Sequence, residues 1–142
     1  MEPRISLVTL GVSDLARSTA FYSVWLGVPP ATDHDDVAFF ATGGTRLSLY
    51  GYEALADDVG PGFADQQRSR FPGITLAHNC RERHEVDEVV AAAEAAGGTV
   101  VKPPAEAFWG GYSGYVADPD GYLWQIAWGA FPIAEDGQLV LG

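Results

Sequence analysis

Two segments of this chain recur in the same order, and that recurrence limits the folds open to it. Val8–Val12 (VTLGV) is matched 66 residues later by Ile74–His78 (ITLAH). Gly44–Gly51 (GTRLSLYG) is matched 77 residues later by Gly121–Trp128 (GYLWQIAW), which sets Ser48 on Gln125. Each match is short, but their common order points to an internal duplication. The pattern between them agrees. Ile5–Val12 is rich in β-branched and aliphatic residues and reads as a strand. Ser13 or Asp14 then offers an N-cap, and Leu15, Ser18, Phe21, Tyr22 and Trp25 follow at helical spacing. Gly27 closes that helix and Pro29-Pro30 prevents its return. Val37–Thr42 and Thr45–Gly51 read as a hairpin about Gly43-Gly44. Glu53 to Arg70 reads as a connector with one short helix. The second half repeats the order: a strand at Gly73–Asn79, a helix with Val86, Val89, Val90 and Ala93 on one face, and a short strand at Thr99–Pro103. A hairpin then turns on Asp118-Pro119-Asp120-Gly121, residues suited to a type I turn. The tail from Phe131 has no strong period.

With 142 residues the chain is long enough for one domain with a real core. Its formal net charge of −11 argues against nucleic acid and anionic membrane as partners. No early basic-then-apolar run reads as a signal peptide or membrane span. The lone Cys80 excludes an internal disulfide and fits a reducing, cytoplasmic setting.

Two stretches, VTLGVSDLARSTAFYSVWLG near the start and FWGGYSGYVADPDGYLWQIAW near the end, carry a resemblance to a known family. The chain resembles the glyoxalase / bleomycin-resistance / extradiol-dioxygenase superfamily, also called vicinal oxygen chelate proteins, from about Ile5 to Gly129. The resemblance implies an α+β fold: two paired βαβββ modules, about 4–60 and about 72–130, within a single domain spanning 1–142. A curved mixed sheet would form a cup for the ligand, with helices outside. It also implies a homodimer, the commonest closed assembly.

Metal-using members of that family place one ligand on each of four strands. Carried over, those positions fall on Leu7, Ser48, Gly73 and Gln125. None is His, Asp, Glu or Cys, and neutral Ser and Gln oxygens are poor substitutes for imidazole and carboxylate. The expectation is a protein with no metal and no other cofactor at this site.

Strand alternation sets Trp124, Ile126 and Trp128 against the helices and turns Gln125 and Ala127 toward the cup. By the same parity Leu7, Thr9, Gly11, Arg46, Ser48 and Tyr50 face inward. The glycine-rich segment Phe108–Tyr115 adds Trp109, Tyr112 and Tyr115, whose rings suit a planar or sugar-rich ligand. The expected ligand-binding set is therefore Thr9, Arg46, Ser48, Tyr50, Trp109, Tyr112, Tyr115 and Gln125. Each has a plainer reading: Ser48 and Gln125 bonded to each other or to water, Arg46 paired with a neighbouring acid, the aromatic loop packed on the core. Thr32–Asp36 (TDHDD) has metal-ligand residue types but reads as a solvated loop. His78 and Cys80 share a face turned from the cup, which argues against a Cys–His nucleophile. Two functions fit: a metal-free binder of a small aromatic or antibiotic-like molecule, or a lyase, isomerase or dioxygenase-type enzyme acting on a small metabolite.

Overall fold

Short local signals start the first and third helices, and these position the strands around them. The computed structural model describes residues 1, 3, 5–31, 35–65, 71–129 and 131–140. The chain divides into two compact units, Met1–Pro72 and Gly73–Gly142.

In the first unit β1 (Leu7–Val12) leads into α1 (Leu15–Leu26). The Asp14 carboxylate accepts the Arg17 N–H at 2.9 Å, so it caps the helix, and Gly27 ends it at φ 69°. Strands β2 (Val37–Phe40) and β3 (Arg46–Gly51) complete a sheet of order β1-β3-β2, with β1 parallel and β2 antiparallel to β3. One face buries Leu10, Val12, Ala38, Phe40, Leu47 and Leu49. Phe21 and Tyr22 of α1 are buried too, and the Tyr22 ring lies 6.1 Å from that of Phe40. The connector forms α2 (Tyr52–Val59).

The duplication predicts three strands after α1, and among the described residues this unit has two. Ala31 N–H donates to the Phe39 carbonyl at 2.6 Å, so the chain does run beside β2. Pro29 and Pro30, just before it, have no N–H to extend that contact into a ladder.

The second unit has the full βαβββ order: β4 (Leu76–Asn79), α3 (Arg83–Ala95), β5 (Thr99–Glu106), β6 (Tyr112–Ala117) and β7 (Leu123–Trp128). The sheet runs β4-β7-β6-β5, with β4 parallel to β7. Glu82 and Glu85 form a capping box on α3, and Val86, Val90 and Ala93 are its buried face. β5 is longer than expected because its prolines are harmless on an edge strand. Its pairing with β6 shifts register on both sides of Lys102. In the β6–β7 turn the Asp118 carboxylate accepts N–H bonds from Asp120 at 2.9 Å and Tyr122 at 2.8 Å.

The fold is α+β, with three helices and two mixed sheets among the described residues. Among the described residues no helix is long and apolar enough to cross a membrane.

The ladders also bear on the repeat, since spacings of 66 and 77 cannot both hold. Thr9 pairs with Ser48, and Ala77 pairs with Gln125. With Ser48 equivalent to Gln125, the first strands correspond at a spacing of 68, from Thr9 to Ala77, rather than 66. Both spacings are even, so no side chain changes face. The residue equivalent to Leu7 becomes Thr75 instead of Gly73.

Candidate functional site

Gln125 is built into a row that crosses the second sheet. Its cross-strand partners are Ala77 on β4 and Tyr115 on β6, and Tyr115 in turn pairs with Lys102 on β5. The next row on the same face is Asn79, Ala127, Ser113 and Ala105. The opposite face carries Ile126, Val116 and Trp128 toward α3, as alternation requires.

Among the described residues the side chains of Gln125, Tyr115, Lys102 and Ser113 have no hydrogen-bond partner. Ser113 is only 4% exposed. A buried polar group left unpaired costs about 1–3 kcal/mol, which applies to Ser113, whereas Gln125 and Tyr115 are half-buried and Lys102 is exposed. A ligand that supplies the missing partners recovers that cost.

In the first unit Thr9, Arg46, Ser48 and Tyr50 share one sheet face, with Thr9 directly opposite Ser48. Ser48 is almost fully buried, and its hydroxyl lies 2.7 Å from the Thr9 hydroxyl. Ser48 therefore bonds Thr9, not Gln125. Arg46 is exposed and donates to the Thr42 carbonyl rather than to an acid. Gly11 shares the face without leaving it open. A Cβ at Gly11 would lie 3.0 Å from the Tyr52 ring and 3.3 Å from Leu55, so α2 fills the space that a side chain would take.

The aromatic segment divides. Tyr115 stands beside Gln125, whereas Tyr112 alternates onto the α3 face. There its hydroxyl donates to Asp87 at 3.0 Å, and the Arg83 guanidinium lies 3.9 Å above the ring. Bonding to the Asp87 carboxylate holds the Tyr112 hydroxyl above its usual pKa. Tyr112 is thus a strut between β6 and α3, which corrects its expected place among the ligand-facing rings. Trp109 is part-exposed and lies over Gly111, in the tight loop that Ala107 and Gly111 close with a 2.8 Å bond. Sequence reading missed Lys102, whose place in the row depends on the irregular β5–β6 register, and Ser113, which alternation from Tyr115 could have found.

His78 and Cys80 alternate onto the α3 side. Burial pushes the Cys80 thiol up to about 11, with nearby Glu85 adding to the effect, and burial lowers His78. A catalytic thiol needs the opposite shift. A cleft of about 500 Å³ opens beside them, lined by Cys80, Arg81, Glu82, Trp128, Phe131 and Ile133 among others. Arg81 forms one wall and donates to the carbonyls of Ile133 and Ala134 at 3.2 and 2.8 Å.

By the family resemblance the metal-ligand positions fall on Leu7, Ser48, Gly73 and Gln125, with Thr75 in place of Gly73 if the ladder spacing is followed. Two of these side chains are engaged or apolar, and none is an imidazole or carboxylate, so the donor set does not fit a transition metal. Among the described residues there is no group of three or more His, Cys, Asp or Glu placed to hold one. Thr32, Asp33 and His34 of the TDHDD segment lie outside the described residues.

The family model of the Glyoxalase/Bleomycin resistance protein/Dioxygenase superfamily matches residues 4–126. A glyoxalase-related enzyme from Fulvimarina pelagi is 34% identical, with a TM-score of 0.87 and 99% of each chain covered. A family enzyme from Burkholderia phytofirmans PsJN is 22% identical, with a TM-score of 0.77 over 88% of this chain and 98% of its own. A lactoylglutathione lyase from Agrobacterium tumefaciens is also 22% identical, with a TM-score of 0.66 over 91% and 96%. The last two show likeness of fold alone. No curated protein matches the chain.

Proposed function

The chain belongs to the glyoxalase/bleomycin resistance protein/dioxygenase superfamily, and from that premise we propose that it is a metal-free binder of a small, partly aromatic molecule. The observation that carries this reading is the row Tyr115–Gln125 beside the buried Ser113, three polar groups without partners among the described residues. Binding sites are mostly apolar with a few placed polar groups, and this row has that composition. Tyr115 offers a ring, Gln125 an amide able both to donate and to accept, and Trp109 a further ring on the loop before β6. In the first unit Thr9, Ser48, Tyr50 and Arg46 form the equivalent polar face.

A thermal-shift screen of small aromatic molecules identifies a ligand, since a binder raises the melting temperature. Titration with that ligand then tests the site. Removing a stacked ring costs about 1 kcal/mol, so Trp109→Ala is expected to weaken binding about fivefold. Gln125→Leu is expected to weaken it at least as much. Unchanged affinity in both variants places the site elsewhere, with the cleft at Trp128 and Phe131 as the next region to map.

The alternative is an enzyme of the same superfamily acting on a small metabolite. The Fulvimarina pelagi relative favours it, being described as a glyoxalase-related enzyme. Turnover by chelator-treated protein of a compound from the same screen would support that reading over simple binding. The protein is also proposed to be a homodimer, as duplicated-module proteins can pair modules across a two-fold axis. Light scattering at micromolar concentration is expected to give about twice the 15.1 kDa chain mass, and a clean monomer peak refutes it.

A further inference from the structure

Charge is unevenly distributed over the two sheets. The chain has 19 acidic residues against 8 Lys and Arg. Among the described residues, the strand positions on the faces that carry Ser48 and Gln125 nevertheless hold no carboxylate. On the first sheet that face comprises Leu7, Thr9, Gly11, Val37, Phe39, Arg46, Ser48 and Tyr50, so its one charge is Arg46. On the second it includes Asn79, Lys102, Ser113, Tyr115 and Gln125, and its one charge is Lys102. Among the described residues the only acidic residue in a strand is Glu106, which pairs with Tyr112 on the α3 side and bridges to Arg83.

Lys102 is also the only lysine in the chain. Among the described residues its ammonium has no ion pair or hydrogen bond, although acids outnumber bases by more than two to one. It is in register with Tyr115, which is in register with Gln125. Adjacent strands lie about 4.8 Å apart, so the row presents a cation, a ring and an amide in succession over about 10 Å. That is the span of a substituted aromatic ring with an acid group at one end.

We propose that the ligand is a small aromatic carboxylic acid, its carboxylate held by Lys102, its ring against Tyr115 and its far polar substituent bonded to Gln125. This rests on the binding role proposed for the row and specifies what it takes. The absence of carboxylates from the face matters as much as the lysine does. An acid placed there would pair with Lys102 and repel the ligand, and a charge-assisted bond is about twice as strong as a neutral one. Neutral analogues of the same shape leave the ammonium without a partner.

The test uses a matched pair, 4-hydroxybenzoate and 4-hydroxybenzamide, titrated by calorimetry into the purified full chain at low salt. The acid is expected to bind at least tenfold more tightly than the amide. Lys102→Met is expected to abolish that preference by weakening the acid, with the circular dichroism spectrum unchanged, and Lys102→Arg to restore most of it. Bound acid is also expected to slow acetylation of Lys102, read by mass spectrometry as the only lysine adduct. Equal affinity for acid and amide, with both weakened by Gln125→Leu, overturns the anion assignment and leaves the binding row intact. A preference that survives Lys102→Met overturns it as well. If neither probe binds, the assignment falls, and the binding role is then judged separately by the wider ligand screen.

Discussion

Gly111→Ala is expected to lower stability by about 3 kcal/mol, near the upper end for overpacking, and the melting temperature by roughly 10 °C. Gly111 is buried where the β5–β6 loop enters β6, and a Cβ there would sit inside the Trp109 ring and against the Trp128 carbonyl oxygen. The two obstacles differ in kind. Trp109 is part-exposed and can swing away, at the cost of its packing. The Trp128 carbonyl is fixed in the β6–β7 ladder, where Tyr112 pairs with Trp128. The double variant Trp109→Ala, Gly111→Ala therefore separates them. It should recover part of the loss through the removed ring but not the part due to the backbone, so the two changes are non-additive. Thermal unfolding of the three variants measures this. A melting temperature within about 2 °C of the parent for Gly111→Ala would show that the loop relaxes freely, because so small a shift is well under 1 kcal/mol.

The packing that makes Gly111 costly was not legible in the sequence, whereas much else was. Strand alternation is strict, so the opposite destinations of Gln125 and Ile126 followed from one strand assignment. Asp14 and Gly27 bounded α1 because capping is a local matter. Tyr112 and Tyr115 show a legible fact that went unused. Residues three apart in a strand cannot share a face, so only one of the pair can stand beside Gln125. Other features needed the structure. The repeat spacing of 68 was masked because a Thr-Leu pair recurs at 66, and a two-letter coincidence carries no register. Lys102 was hidden by the irregular β5–β6 pairing, which breaks simple counting from the hairpin. The position of α2 over Gly11 was hidden as well: a short helix in that connector is expected, but nothing local says which strand it covers. Failures of this kind concentrate where pairing is irregular, and the candidate ligand row crosses such a place.

Ile126→Ala is expected to cost 2–5 kcal/mol, the range for deleting a large buried aliphatic side chain, although it lies next to Gln125. Ile126 is 0% exposed and stands opposite His78 and Gly114, on the sheet face where α3 buries Val86, Val90 and Ala93. Gly114 has no side chain to move into the vacancy. A Cβ there would already lie 2.8 Å from the Lys102 carbonyl, so β5 and β6 are packed backbone to backbone and cannot close the cavity by sliding. The same strand thus allows a separation of roles. Gln125→Leu removes an amide that has no partner among the described residues, so it is expected to leave stability unchanged or raise it while weakening ligand binding. Ile126→Ala is expected to do the reverse at temperatures where it remains folded: lower stability, with affinity for the ligand retained. Urea unfolding and ligand titration on both variants give four numbers. If Gln125→Leu destabilises the protein by 2 kcal/mol or so, the amide is a satisfied structural group and the binding row loses its basis. If instead the two variants divide as described, adjacent residues on β7 serve the core and the ligand separately, as strand geometry requires.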